Sequence, residues 1–458
     1  MTFRPYKLDR FSVEGSAQIS PVAGNRSRKH QSGSILLVTV FLAGILGLTL
    51  GYYLWLVRAQ NVLVAESQAW NSALVLAEAG VEEGLAQINV SFGTNYVSSA
   101  RANWGLSGPG VYGPRSNSLD TGSYSVVLIA TNAGPTLIAT GYAASPVLSN
   151  GLISRTVQVT TTVNPAFRYA LGSGLGISSS GYTLTIDSFD SSNPAYSTPG
   201  SKAGADVAAT DGFTNHGTVQ IHGTLRTGPG VGPNPGSGVS VGDLSFLGPG
   251  IQCSQDYSSD FNQQFRPVLP PNTVSFMPPV CGNGTNKYVL NGGNFIINGD
   301  LTLGTDNAIS VVGSGNSVLY VAGNVSMAGP QGALTGASIN IAPGCNLLLY
   351  VAGPSAALTQ VNTVGTASSF QYYGLPSNTS VTWSGNIDNT FIGGIYAPQA
   401  QLTLGSGTSF HHHPQYEFQG ACMANSITLN GKFNFHYDEA LKHTLSPVGF
   451  VVTSWREL

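Results

Sequence analysis

The sequence predicts an α+β N-terminal part, one long helix plus an antiparallel meander, followed by a large all-β domain. Three observations predict it. An uncharged apolar run near the N-terminus continues into a helical stripe, and β-branched segments follow that stripe. The rest of the chain is made of short strand-like runs punctuated by Gly, Asn and Pro.

The 458 residues include 18 Lys+Arg, 21 Asp+Glu, 58 Gly and 25 Pro. So few charges exclude a highly charged disordered chain, and the lack of a basic excess points away from nucleic acid. Gly without a three-residue period excludes collagen, and four Cys exclude a disulfide-dense scaffold. Charge is asymmetric. Residues 1–33 carry Arg4, Lys7, Arg10, Arg26, Arg28 and Lys29 against Asp9 and Glu14, which leaves the remainder net negative.

Residues 34–57 read SILLVTVFLAGILGLTLGYYLWLV, without a charge. At ~1.5 Å per residue this run spans ~36 Å, enough for a hydrocarbon core ~30 Å thick. The preceding cations put the N-terminus in the cytoplasm, and Tyr52, Tyr53 and Trp55 suit the headgroup layer at the far end. A cleaved secretory signal would have a shorter apolar core and a small-residue site after it, so a retained anchor is expected. Beyond the span, Leu63, Trp70, Leu74, Ala77, Val81, Leu85 and Ile88 form one helical stripe, with Glu82 and Glu83 off it, so the helix extends over 58–90. The runs at 121–130, 136–143 and 153–163 predict an antiparallel meander within 91–166.

The sequence QSG at 31–33, the apolar segment, and AEAGVEEGLA at 77–86 resemble minor type IV pilins of the PilX kind over roughly residues 26–165. The resemblance implies cleavage of the leader 1–33 by a prepilin peptidase between Gly33 and Ser34. The helix would then pack among other pilins or pseudopilins above an inner-membrane assembly platform. Major pilins carry Glu at the fifth mature position; this chain has Val38 there, which leaves a tip or initiating role open. Gly44, Gly47 and Gly51 offer small-residue contacts for helix association.

Residues 167–445 read as all-β. NSVLYVAG at 316–323 returns as NLLLYVAG at 346–353, and Phe391, Gly393, Ala397 and Leu402 return as Phe418, Gly420, Ala424 and Leu429. Repeats of this length suit the coil of a β-solenoid, with a β-sandwich or jelly roll as the alternative. The stretches at 169–171, 186–188, 394–398 and 426–441 resemble a poorly characterised β-rich domain of bacterial envelope proteins that brings no assigned reaction. Residues 228–282 are Pro- and Gly-rich and read as a surface excursion, and 446–458 as a C-terminal tail.

Candidate chemistry is sparse. GVSVG at 238–242 matches the nucleophile-elbow pattern but no helix follows it, and GPGVYG at 108–113 likewise reads as a turn. His411 and His413 would share a strand face, and with His436 they are candidate metal ligands; a loop tract between Phe410 and Pro414 is the preferred reading. Asp187 and Asp190 would face opposite sides of a strand, which disfavours an acid pair, and Asp438 reads as the N-cap of a short helix capping the solenoid. Cys253 and Cys281 bracket the Pro-rich stretch and are expected to pair; Cys345 and Cys422 pair across rungs or stay buried thiols.

The reading is a non-enzymatic, cofactor-free envelope protein, single-pass with its bulk periplasmic or extracellular. It would be a minor pilin or pseudopilin displaying a β domain for adhesion or for a tip or priming role. Its partners would be other pilins, the assembly platform, prepilin peptidase, membrane lipid and a surface glycan, with no nucleic acid. The alternative is a membrane-anchored glycan-binding or polysaccharide-active β-solenoid outside any pilus machinery.

Overall fold

The computed structural model describes residues 34–90, 96–131, 134–145, 151–163, 165–180, 183–215, 217–232, 238–271, 275–282, 284–329, 336–385, 390–405, 415–444 and 449–458. The chain divides into two units, Met1–Gln68 and Ala69–Leu458. Helix α1 is Ser34–Val90, and no Pro or charge interrupts its first 24 residues. The described part of the first unit is helix throughout, with Ile35, Leu36, Leu37, Phe41 and Leu46 all more than three-fifths exposed.

In the second unit, residues 69–90 of α1 pack on an antiparallel sheet. After α2 (Tyr96–Trp104) come β1 (Leu106–Gly108), β2 (Val111–Leu119), β3 (Gly122–Ile129), β4 (Thr136–Ala144) and β5 (Leu152–Val163), each paired to the next. The last three are the predicted meander. The segment 446–458 is not a tail: Phe450–Glu457 pairs antiparallel with β5 and completes the sheet. Runs of β-branched residues, Val451–Thr453 and Val159–Val163, suit that pairing, which a span of some three hundred intervening residues hides from local reading.

The buried helix positions are Ala73, Leu76, Ala77, Gly80, Val81, Gly84, Gln87 and Ile88. Ala77, Val81 and Ile88 of the expected stripe are buried and Leu74 and Leu85 pack partly buried beside them, whereas Leu63 and Trp70 lie exposed. Small residues sit at the centre of the buried face because helix and sheet approach closely. A Cβ on Gly84 would lie 2.8 Å from a Leu137 methyl, and one on Gly80 3.0 Å from the Tyr124 ring. Across the interface, a Cβ on Gly141 would enter the backbone carbonyl of Ala73. Glu83, off the expected stripe, accepts hydrogen bonds from Tyr124 Oη (2.6 Å) and Arg115 Nε (3.1 Å). Arg155 of β5 pairs with Glu457 and stacks over the Trp70 ring, tying together helix, β5 and the last strand.

The described strands between residues 165 and 444 are short and stack mostly in parallel, with Val280–Cys281 antiparallel to Asn286–Leu290. Gly293–Ile297 pairs with Gly315–Val321, which pairs in turn with Cys345–Val351, Phe370–Gly374, the first half of Phe391–Leu404 and then Gln415–Leu429. A second column runs through Leu301–Leu303, Val325–Met327, Ser355–Leu358, Ser380–Trp383 and the second halves of the two long strands. The 30-residue echo lies in register, with Tyr320 opposite Tyr350 and Asn346 donating to Asn316 Oδ1 at 2.8 Å. The 27-residue echo holds at Phe391, Gly393 and Ala397. It then slips: Leu402 lies opposite Ile427, not Leu429, because residues 398–400 add two positions at that corner. Buried rings stack along the columns, Phe391 on Phe418 and Phe418 on Phe435 at 4.5 Å each, and each such pair contributes about 0.5–1.5 kcal/mol beyond burial.

Stacking order is not chain order. The strand beside Gln415–Leu429 is Leu171–Ser173, and Lys432–Asp438 pairs with Thr183–Phe189. The domain thus begins in mid-stack beside its own last strands, and parallel pairing continues away from them through Thr218–His222 and Val239–Gly242. Residues 259–271 then run back along the stack toward Gly293–Ile297. This strap is held by Phe261 N–H on Thr227 O, Tyr169 Oη on Gln263 Oε1 and Tyr396 Oη on Arg266 O. The stretch 228–282 is accordingly not all surface excursion. Val239–Gly242, Gly250–Ile251 and Tyr257–Ser258 are strands of the sheet, the first fully buried, because two Val in alternation suffice for a rung despite the Gly around them. Asp438 N-caps the short helix Glu439–His443 as expected, accepting from Ala440 N–H, but that helix does not close the stack, because its strand is paired on both sides.

The close helix–sheet approach makes a ranked prediction. Gly141→Ala should destabilise by about 1–3 kcal/mol, because a backbone carbonyl cannot move aside. Gly84→Ala should cost less, since the Leu137 methyls can rotate and Ala favours helix by about 1 kcal/mol. Thermal unfolding of the detergent-solubilised chain checks the order, and an equal or reversed ranking would contradict this packing.

Candidate functional site

The first feature is the helix itself. Over residues 35–64 nearly every large apolar side chain is exposed, and the helix is long and apolar enough to cross a membrane. A Cβ placed on Gly44, Gly47 or Gly51 meets nothing within 4 Å, so all three leave open space for a neighbouring helix. Helix α1 is described from Ser34 on, and Gly33 lies outside the described residues.

The second is a charge cluster at the mid-stack junction. His436 of the last rung stands opposite Asp187 of the first. Its Nδ1–H donates to Asp187 Oδ1 (2.6 Å) and its Nε2–H to Glu417 Oε2 (3.3 Å), while Asn434 Nδ2 donates to Glu417 Oε1 (2.6 Å). Burial opposes charging of the imidazole. The hydrogen bond to Asp187 and the charges of Asp187 and Glu417 outweigh that effect, so its pKa is raised. His436 is therefore an ion-pair residue joining two ends of the domain. Among the described residues no His/Cys/Asp/Glu group could hold a metal, and His411 and His413 lie outside them. Asp190 is half-buried and accepts from Ser192 N–H, while Asp187 pairs with His436. The partnership of Glu417 with His436 had no sequence signal, because it spans rungs.

The third is a cleft of about 420 Å³ between the strap and the rung corners, lined by Gly174, Thr210, Asn262, Gln263, Gln264, Phe265, Pro398, Gln399 and Asn425. Sequence reading missed it, since its residues come from five separate stretches. Ser240 of the GVSVG run is buried in a strand and lies 3.4 Å from Val219 O, which leaves no exposed nucleophile.

All four cysteines are free thiols here, so the expected Cys253–Cys281 link is not formed; both are exposed. Cys345 and Cys422 are buried, and Cys345 Sγ donates to Gly313 O at 3.2 Å. They cannot pair, because their strands are three rungs apart, about 14 Å at ~4.8 Å per rung. Burial pushes the Cys422 thiol up, away from thiolate chemistry.

A family described as "Domain of unknown function (DUF7305)" matches residues 290–444, about a third of the chain. No curated protein matches. Among solved structures the chain is similar to the competence-associated pilin ComZ from Thermus thermophilus, at 11% identity and a TM-score of 0.27, covering 84% of this chain and 97% of that one.

The junction predicts a pH dependence. A raised folded-state pKa contributes stability that is fully present below the unfolded value, near 6.5, and is lost as pH rises through the folded one. His436→Gln should therefore lower the unfolding temperature most near pH 5.5, with the gap narrowing by pH 9. A gap constant across that range would mean that His436 packs without pairing.

Proposed function

We propose that this chain is a structural cell-envelope protein of the pilin or pseudopilin type. It would assemble through α1 and display the domain of residues 165–444, read here as a β-solenoid, for adhesion or at a filament tip. The observation that carries this reading is the form of α1. One continuous helix is bare and apolar over its first half, and over residues 69–90 it packs through small residues onto an antiparallel sheet. Such a helix needs an apolar surround, lipid before assembly and other helices after it. The parallel pairing of successive strands supports a solenoid over a sandwich or jelly roll, whose strands pair antiparallel.

In this reading the leader's six cations keep residues 1–33 in the cytoplasm, and a prepilin peptidase removes them between Gly33 and Ser34. Removal takes away six cationic side chains, whose burial would cost several kcal/mol each, and leaves the new α-amino group as the charge at that end. The partners are other pilins or pseudopilins and an inner-membrane platform, and the role is structural rather than catalytic.

The mature N-terminus tests the reading. Mass spectrometry of the chain from its native envelope should find Ser34 first, and Gly33→Leu should leave a precursor about 3.5 kDa heavier, estimated from the leader's length. An intact leader in cells with active peptidase would leave a membrane-anchored β domain outside any filament. Assembly has a separate test. Since Gly47 has open space around it, Gly47→Leu is sterically harmless to the single chain. It should cut recovery in sheared surface filaments at least tenfold while membrane levels hold, and unchanged recovery would count against helix-mediated assembly.

A further inference from the structure

We propose that the cleft between the strap and the rung corners is a binding site for a neutral saccharide. It rests on the geometry of the β domain and stands or falls independently of filament assembly.

One wall is built from consecutive rung corners. Pro398 and Gln399 follow the strand segment that pairs with Phe418–Ala424, Asn425 ends that next segment, Gly174 follows the adjacent Leu171–Ser173, and Thr210 follows Val207–Ala209. Four neighbouring rungs at ~4.8 Å spacing make a wall about 14 Å long. The two extra residues that break the 27-residue echo are what push Gln399 outward, and its side chain is exposed. The other wall is the strap, with Asn262, Gln263, Gln264 and Phe265. Phe265 packs on the core where a Cβ on Gly172 would meet its ring at 2.9 Å, so the strap is seated close against the rungs.

The lining chemistry selects the ligand class. Five amides and one hydroxyl line the cleft, and no ionisable side chain does. Each amide offers donors and an acceptor on one planar group, the pairing that vicinal hydroxyls of a sugar require. Gln263 is fixed by Tyr169. Among the described residues, the side-chain amides of Asn262, Gln264, Gln399 and Asn425 have no protein partner. The corner backbone, by contrast, is already engaged: Gly174 N–H donates to Ala424 O, Leu175 N–H to Asn425 O and Gly228 N–H to Thr210 O. An extended peptide reads free main-chain groups at a strand edge, and this wall presents side chains instead. The volume falls within the range of about 300–1,000 Å³ typical of small-ligand sites.

The test uses the full chain in a zwitterionic detergent, since glycoside detergents would compete. Cellotriose and N,N′,N″-triacetylchitotriose are titrated by calorimetry, with a galacturonate trimer and a capped tetraglycine as comparators. At least one neutral trimer should bind with millimolar or tighter affinity. Gln399→Ala and Asn262→Ala should each weaken it about tenfold, the loss expected for one hydrogen bond of about 1.4 kcal/mol, with the unfolding temperature unchanged. Failure of both neutral trimers to bind at 10 mM would overturn the proposal. Tighter binding of the uronate or the peptide, or affinity unchanged in the Gln399→Ala/Asn262→Ala double variant, would do so as well.

Discussion

The rest of this structure depends on one pairing, that of Phe450–Glu457 with β5. The chain leaves the N-terminal sheet after Val163 and must return to it, so everything between has to begin and end at the same place. A stack coiling from one end to the other would leave its termini many rungs apart. The domain instead starts in mid-stack: Leu171–Ser173 lies against Gln415–Leu429, and Tyr437 Oη donates to Phe167 O at 2.7 Å. The strap is the necessary consequence. A stack built outward in one direction and then completed from the other end needs a segment that travels its length, and residues 259–271 are that segment.

This arrangement concentrates chemistry at the junction. The first and last rungs meet through His436, Asp187 and Glu417, three ionisable groups in a chain with few. The amide-lined cleft arises from the same cause, because the strap passes over the corners of those central rungs. Parallel rungs within one half of the stack bury their apolar faces on each other and leave little but solvent-facing polar rows. Where non-sequential pieces are forced together, polar side chains face each other across short distances.

The helix obeys a different constraint. Among the described residues nothing covers the apolar side chains in the first half of α1, which is long and apolar enough to cross a membrane. Over residues 69–90 it meets a sheet at a separation that excludes large residues, which is why Ala73, Ala77, Gly80 and Gly84 occupy the interface and face Gly141. One helix thus carries two kinds of packing surface, one bare and one filled, and the proposed structural role follows from that division of labour.

Much of the architecture was legible in the sequence because it is periodic. An uncharged run of 24 residues, a helical stripe, three alternating β segments and a 30-residue echo each report a local preference or a nearest-neighbour contact, and each has its counterpart in the structure. The errors arose where contact and chain order part. The apolar pattern leaves out Ala73, Gly80 and Gly84 because small residues at a close interface score as weakly apolar. Leu402 was aligned with Leu429 because a two-residue insertion at a corner is silent in an echo counted from Phe391. The sixth strand, the mid-stack start, the junction of His436 with Asp187 and the cleft all join residues that are far apart in sequence. Local physics determined that this chain would make a long helix and many short strands. Which rung lies beside which, and therefore which side chains face each other, was decided by the geometric need to bring residue 450 back to residue 163.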